Sequence, residues 1–157
     1  MIISFKLKIN IDIIKEEIIM KEILKTIDQN KGVFQYYNAN PHGKNTNDCV
    51  IRSICGVTGK EWDEVLMELT LCAIKHKLMI DDPDLYTKYL KENGWTKHNQ
   101  PKTKNGKKYK AYEWAPTFKG KAIAHVGAHH MVMVSHGKVW DTWYSLDGIV
   151  GNYWTKE

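Results

Sequence analysis

A chain of 157 residues with 43% hydrophobic, 26% charged and 11% aromatic side chains has the size and make-up of one globular domain, which excludes wholesale disorder, collagen and coiled-coil rods. No apolar run approaches the ~20 residues needed to cross a bilayer, and the apolar start is broken by Lys6, Lys8 and Asp12 with no small-residue cleavage site; a cytoplasmic protein with no membrane partner is expected. The net charge of +5 is local, because residues 97–110 hold six lysines and no acid and leave −1 for the rest. Arg52 is the only arginine, so dedicated nucleic-acid binding is not expected, base and phosphate recognition favouring the guanidinium fork.

In chain order, Ile3, Phe5, Leu7, Ile9, Ile11 and Ile13 alternate with other residues as in a half-buried strand, and the period then changes to Ile19, Ile23 and Ile27, predicting an amphipathic helix over about Ile13 to Asp28. Met20 is an equally acceptable start, which would make the first residues a dispensable leader. Residues 1–30 therefore read as an N-terminal extension and 31–157 as the main domain. Gln29 to Asp48 is an irregular approach loop. A helix follows, with Val50, Ile51, Ile54 and Cys55 on one face, Asp48 or Asn47 as N-cap and Gly56 or Gly59 as its stop. A second helix begins near Thr58 or Gly59 and buries Trp62, Val65, Leu66, Leu69 and Ala73, and a third spans about Pro83 to Glu92. The lysine-rich segment with Pro101 and Gly106 reads as a loop or an exposed hairpin tip. Three strands close the chain: Lys121 to Val126, His130 to Ser135 and Lys138 to Tyr144. Helices first and antiparallel strands afterwards make an α+β domain.

Three cysteines cannot all pair, and none forms a C-x-x-C unit, so reduced thiols are expected. Cys49 opens the first core helix, where unpaired N–H groups and the positive end of the macrodipole favour a thiolate. Cys55 and Cys72 lie on apolar stripes, as structural thiols do. A zinc site from Cys49, Cys55 and His129-His130 is disfavoured, since C-x5-C is unlike structural zinc spacing. No metal and no cofactor is expected.

An imidazole base needs an orienting partner, and only the C-terminal strands offer one. If His136-Gly137 form a two-residue turn, Ser135 faces Lys138 and pairing runs through Val134–Val139 and Met133–Trp140 to Val132–Asp141, Met131–Thr142 and His130–Trp143. That register puts Asp141 diagonally beside His130; a three-residue turn would select His129 instead. Trp143 is placed to shield the His130–Asp141 hydrogen bond from water, unless with Trp140 and Tyr144 it is simply core.

The Asn47-Asp48-Cys49-Val50-Ile51-Arg52-Ser53 run, the Thr-Gly and second helix after it, and the late His130…His136-Gly137…Asp141-Thr142-Trp143 segment resemble papain-like cysteine peptidases, in particular their small phage and bacterial members. The likeness spans about residues 32–154. It implies a papain-like fold, with the nucleophile at a helix start packed on a C-terminal antiparallel sheet, and a catalytic domain over 31–157. It implies Cys49 as nucleophile, His130 as general base and then acid, and Asp141 as the group that orients the imidazole. Papain carries an oxyanion-hole glutamine six residues before its nucleophile; that position here is Gly43, so Asn45 and Asn47 become the oxyanion candidates, with the backbone N–H of Cys49 as the second donor. Arg52 reads as a structural ion-pair partner. The expected activity is thiol-dependent cleavage of a peptide, isopeptide or other amide bond in a protein or peptide substrate. The order Cys, His, Asp also fits transglutaminase-like acyl transfer, and a non-catalytic interaction module on a peptidase fold is the alternative from another class.

Overall fold

The computed structural model describes residues 14–16, 18, 19 and 32–157. The chain forms two compact units, Met1–Gly32 and Val33–Glu157. In the first, residues 14–16, 18 and 19 are helical; the alternating segment before them, Met20 and the rest of the expected helix to Asp28 lie outside the described residues. Among the described residues no helix is long and apolar enough to cross a membrane.

The second unit is mixed α and β. Its sheet has six strands: β1 (Phe34–Tyr36), β2 (Thr96–His98), β3 (Lys121–Val126), β4 (His130–Ser135), β5 (Lys138–Asp141) and β6 (Val150–Thr155), in the spatial order β1-β5-β4-β3-β6-β2. The helices are α1 (Cys49–Thr58), α2 (Trp62–His76), α3 (Pro83–Glu92) and the one-turn α4 (Ala111–Trp114). The expected C-terminal antiparallel sheet is therefore incomplete as a description. The pairs among β2 to β6 are antiparallel, but β1 comes from the approach loop and runs parallel to β5. Three-residue edge strands such as β1 and β2 carry too short an alternation to be seen in sequence.

Alternation along the central strands divides the core in two. Ile123, Met131 and Trp154 pack with the buried faces of α1, α2 and α3, while Ala122, Ala124, Val126, Val132, Val134 and Val139 pack with Ala111, Trp114 and Leu146. The close approach of α1 to β4 depends on Gly56. A Cβ there would lie 2.6 Å from Met133 Sδ, so this glycine serves packing inside the helix rather than ending it. Gly59, at φ +76°, is the stop, donating its N–H to Cys55 O. Because α1 uses Thr58 and Gly59 to finish, α2 starts later than expected, with Glu61 as N-cap. The third helix keeps its expected bounds, capped by the Asp82 side chain on the Asp84 N–H.

His136 and Gly137, at φ 52° and 75°, form the two-residue turn whose positive dihedrals match the twist of a hairpin. The expected pairs Ser135–Lys138, Val134–Val139 and Met133–Trp140 are present. The continuation through Val132–Asp141 to His130–Trp143 is not: β5 ends at Asp141, which is instead aligned with Tyr36 of β1, and the chain bends at Thr142 and Trp143. The lysine-rich segment is also less detached than a free loop. Lys97 lies in β2, Lys102 bridges Lys108 across a turn at Thr103–Gly106, and Lys110 bridges Ile149 and pairs with Asp147.

Candidate active site

Cys49 is the first residue of α1, half-buried at the point where that helix meets the start of β4. The loop leading to it is held by short polar turns: Asn40 N–H donates to Asn38 Oδ1, His42 N–H to Asn40 Oδ1 and Gly43 N–H to Asn40 O. Asp48 occupies the N-cap position, yet its side chain makes no capping bond. It reaches inward instead. Oδ2 accepts from Trp62 Nε1 at 2.9 Å and Oδ1 lies 3.4 Å from Arg52 Nε. The first N–H groups of α1 are therefore left without the side-chain partner that an aspartate normally supplies there.

Burial raises the thiol's proton affinity, but the hydrogen bond with His130, a backbone hydrogen bond from Met131 and the charges of His130 and Arg52 outweigh it, and the Cys49 pKa falls below its ordinary 9.0. His130 Nε2 sits 2.6 Å from Asp141 Oδ2, which leaves Nδ1 for the thiol. Burial opposes its protonation, yet the bonds to Asp141 and Cys49 push its pKa up from 6.5 to about 9. The other two thiols contrast with Cys49. Burial drives Cys55 up to about 11 and raises Cys72.

Asp141 is 1% exposed at its side chain, a costly place for a carboxylate without partners. It has several. Oδ1 accepts the Thr142 backbone N–H at 2.7 Å and lies 3.6 Å from Arg52 Nη2, while Arg52 Nη1 donates to Thr142 Oγ1 at 2.7 Å. Asp48, Arg52 and Asp141, all buried, and His130 and Cys49, partly buried, thus form a row of groups that alternate in sign when Cys49 is ionised and His130 protonated. Arg52 is the ion-pair partner expected from its position, and it ties α1 to the strand that carries Asp141. The role of Asp48 was visible only as an i, i+4 spacing with Arg52. That Thr142 would receive the guanidinium had no sequence signal, because the contact depends on the bend after β5.

The Trp143 ring lies 4.8 Å from that of His130, centroid to centroid, and is 54% exposed. It covers the imidazole from the solvent side and is not core. His129 sits in the turn before β4. Asn45 and Asn47 are both exposed and line, with Cys49, Arg52, His130 and Trp143, a polar cleft of about 390 Å³. Cys49 also lines a second cleft of about 520 Å³, together with Leu69 and Ile80, Leu85 and Tyr86 of α3, and His125 and Met131. Cys49 is thus shared by both clefts.

No family model, curated protein or solved structure matches this chain.

Proposed function

We propose that this protein is a papain-like cysteine peptidase or amidase that cleaves a peptide, isopeptide or other amide bond in a protein or peptide substrate through an acyl-thioester on Cys49. The observation that carries the reading is a thiol at the first residue of a helix beside an imidazole whose far nitrogen is 2.6 Å from a buried carboxylate.

The chemistry follows from the charge row. Near neutral pH the thiolate of Cys49 attacks the carbonyl carbon, and the backbone N–H of Cys49 with the amide of Asn45 or Asn47 receives the developing oxyanion. The His130 imidazolium gives its proton to the leaving amine. With Sγ acylated, His130 has lost the thiolate that helps hold it protonated, so its proton affinity drops and it can act as base toward the water that resolves the thioester. Asp141 keeps Nε2 bonded throughout, fixing the ring with Nδ1 toward the reacting sulfur. Trp143 limits water at that hydrogen bond. The proton that His130 takes from the resolving water restores the imidazolium as the Cys49 thiolate leaves the acyl carbon, so the cycle closes with the leaving amine and the acid as products.

The test is alkylation of the native, reduced protein with iodoacetamide or an epoxide probe at neutral pH, followed by mapping. Cys49 is labelled first; His130→Ala suppresses labelling and hydrolysis of an amide substrate by about 10²–10⁴-fold, and His129→Ala retains most of both. First labelling at Cys55 or Cys72, or equal effects of the two histidine variants, would overturn the assignment. The ratio of free acid to amide product in the presence of an added primary amine separates hydrolysis from transfer to an amine.

A further inference from the structure

A second cluster of reactive side chains lies away from both clefts, where the end of α2 meets the end of α3. Cys72 and His76 are four residues apart on α2, so one helical turn stacks them on the same face. Glu92, the last residue of α3, closes on them from the neighbouring helix. One ligand atom from each of the three lies within 4.8 Å of the other two, and His76 Nε2 is 2.6 Å from Glu92 Oε1. Among the described residues this is the one such grouping of three histidine, cysteine or acidic side chains.

The exposure of the three is graded. Cys72 is buried, His76 is partly covered and Glu92 faces water, so the cluster is walled by protein on the sulfur side and open on the carboxylate side. A tetrahedral ion with its sulfur ligand at ~2.3 Å and nitrogen and oxygen ligands at ~2.0–2.1 Å holds those atoms roughly 3.3–3.6 Å apart. The three atoms, within 4.8 Å of one another, bracket that spacing, with His76 Nε2 and Glu92 Oε1 closer than it at 2.6 Å. A thiolate with an imidazole selects a borderline-soft cation over magnesium or calcium, and thiolate plus carboxylate neutralise a dication. Lys75 Nζ, 3.0 Å from Glu92 Oε1, already orients the carboxylate as an outer partner does.

We propose that Cys72, His76 and Glu92 form a binding site for a zinc-class divalent cation, with water as its fourth ligand. Binding releases the Cys72 proton to solvent as the sulfur–metal bond forms, and the ion clamps the last turn of α2 to the end of α3. Those two helices carry Leu69, Leu85 and Tyr86, which wall the larger cleft; the site is a staple for that wall and takes no part in the proposed chemistry at Cys49.

The experiment is a Co2+ titration of the full-length, reduced Cys49→Ala protein, which removes the half-buried thiol outside the cluster and keeps the outcome independent of the catalytic reading. A thiolate-to-cobalt charge-transfer band saturates at one equivalent and is bleached by Zn2+. It is absent from Cys49→Ala/Cys72→Ser, requires at least about tenfold more Co2+ in Cys49→Ala/His76→Ala, and is unchanged in Cys49→Ala/Cys55→Ser. No band, or a band that survives Cys72→Ser, overturns the proposal. Should the Cys72 variant fail to fold, the exposed ligand decides: Cys49→Ala/Glu92→Gln must need more Co2+ than Cys49→Ala to saturate the band, and an unaltered titration overturns the site.

Discussion

Two imidazole–carboxylate pairs in this molecule share the same separation. His130 Nε2 and Asp141 Oδ2 are 2.6 Å apart, and so are His76 Nε2 and Glu92 Oε1. What differs is everything around them. The Asp141 side chain is 1% exposed and is tied to Arg52 and the Thr142 N–H, whereas that of Glu92 is 39% exposed and shares its oxygen with Lys75. In the first case the low local dielectric makes each charge depend on its neighbours, so removing one alters the proton affinity of the next. In the second, water screens the pair. A hydrogen-bond length alone therefore does not separate the two pairs; the burial of the acceptor does.

The largest expected effect tests that dependence at Arg52. Arg52→Met leaves Asp48 and Asp141 buried without their shared cation and should lower stability by about 3–5 kcal/mol, read as a shift of the urea midpoint. In metal-free buffer Glu92→Gln should leave the midpoint where it is. Equal effects of the two substitutions would erase the distinction between the pairs. The same Arg52 variant should lose Cys49 reactivity, because the guanidinium is one of the charges that lower that thiol and because it anchors Asp141.

How much of this was legible in sequence depends on the range of the interaction concerned. The helix over Pro83–Glu92, the strands Lys121–Val126 and His130–Ser135 and the His136-Gly137 turn rest on local patterns, and the residues alone set their bounds. The turn then fixed the register well enough to bring Asp141 to His130, although the ladder stops short of that pair. By contrast, β1 and β2 exist because partner strands accept them, and the bend that sends Thr142 to Arg52 is decided by contact with α1. Asp48 shows the same limit at shorter range. It stands where a cap is expected, and only the arrival of Arg52 and the Trp62 indole turns its carboxylate inward. Cys72, with an ordinary core position in the heptad-like stripe, gave no hint that Glu92 would meet it from another helix.

The next effect is on the thiol's titration. His130 is held protonated up to about 9 and Cys49 ionises below 9.0, so the ion pair prevails between the Cys49 pKa and about 9. In Asp141→Ala burial acts on His130 with less opposition and its pKa falls, Cys49 loses its cationic neighbour, and the alkylation profile moves to higher pH. Asp141→Asn should lie between, since an amide oxygen still accepts the ring N–H without its charge. Stability follows the same sign: the part contributed by His130 is complete below 6.5, where unfolded histidine is also protonated, and is lost as pH rises through about 9. Superimposable alkylation profiles for the three proteins would remove Asp141 from the site and leave a Cys49–His130 pair.

The smallest expected effect is spectroscopic, and it reads the His130 proton without any substrate. Trp143 stands 4.8 Å from the imidazole and half-exposed, close enough for the ring to quench its emission, and a protonated imidazolium quenches indole more strongly than the neutral ring. Subtracting the emission of Trp143→Phe from that of the unsubstituted protein isolates this one indole among the six in the chain. The difference should rise with pH through a midpoint near 9, as the proton leaves His130. In Asp141→Asn the midpoint should move down, and in Glu92→Gln it should stay, because that carboxylate belongs to the solvent-screened pair. A midpoint near 6.5 in the unsubstituted protein would mean that the buried carboxylate exerts no more hold on its histidine than water does, and the contrast between the two pairs would then be one of accessibility alone.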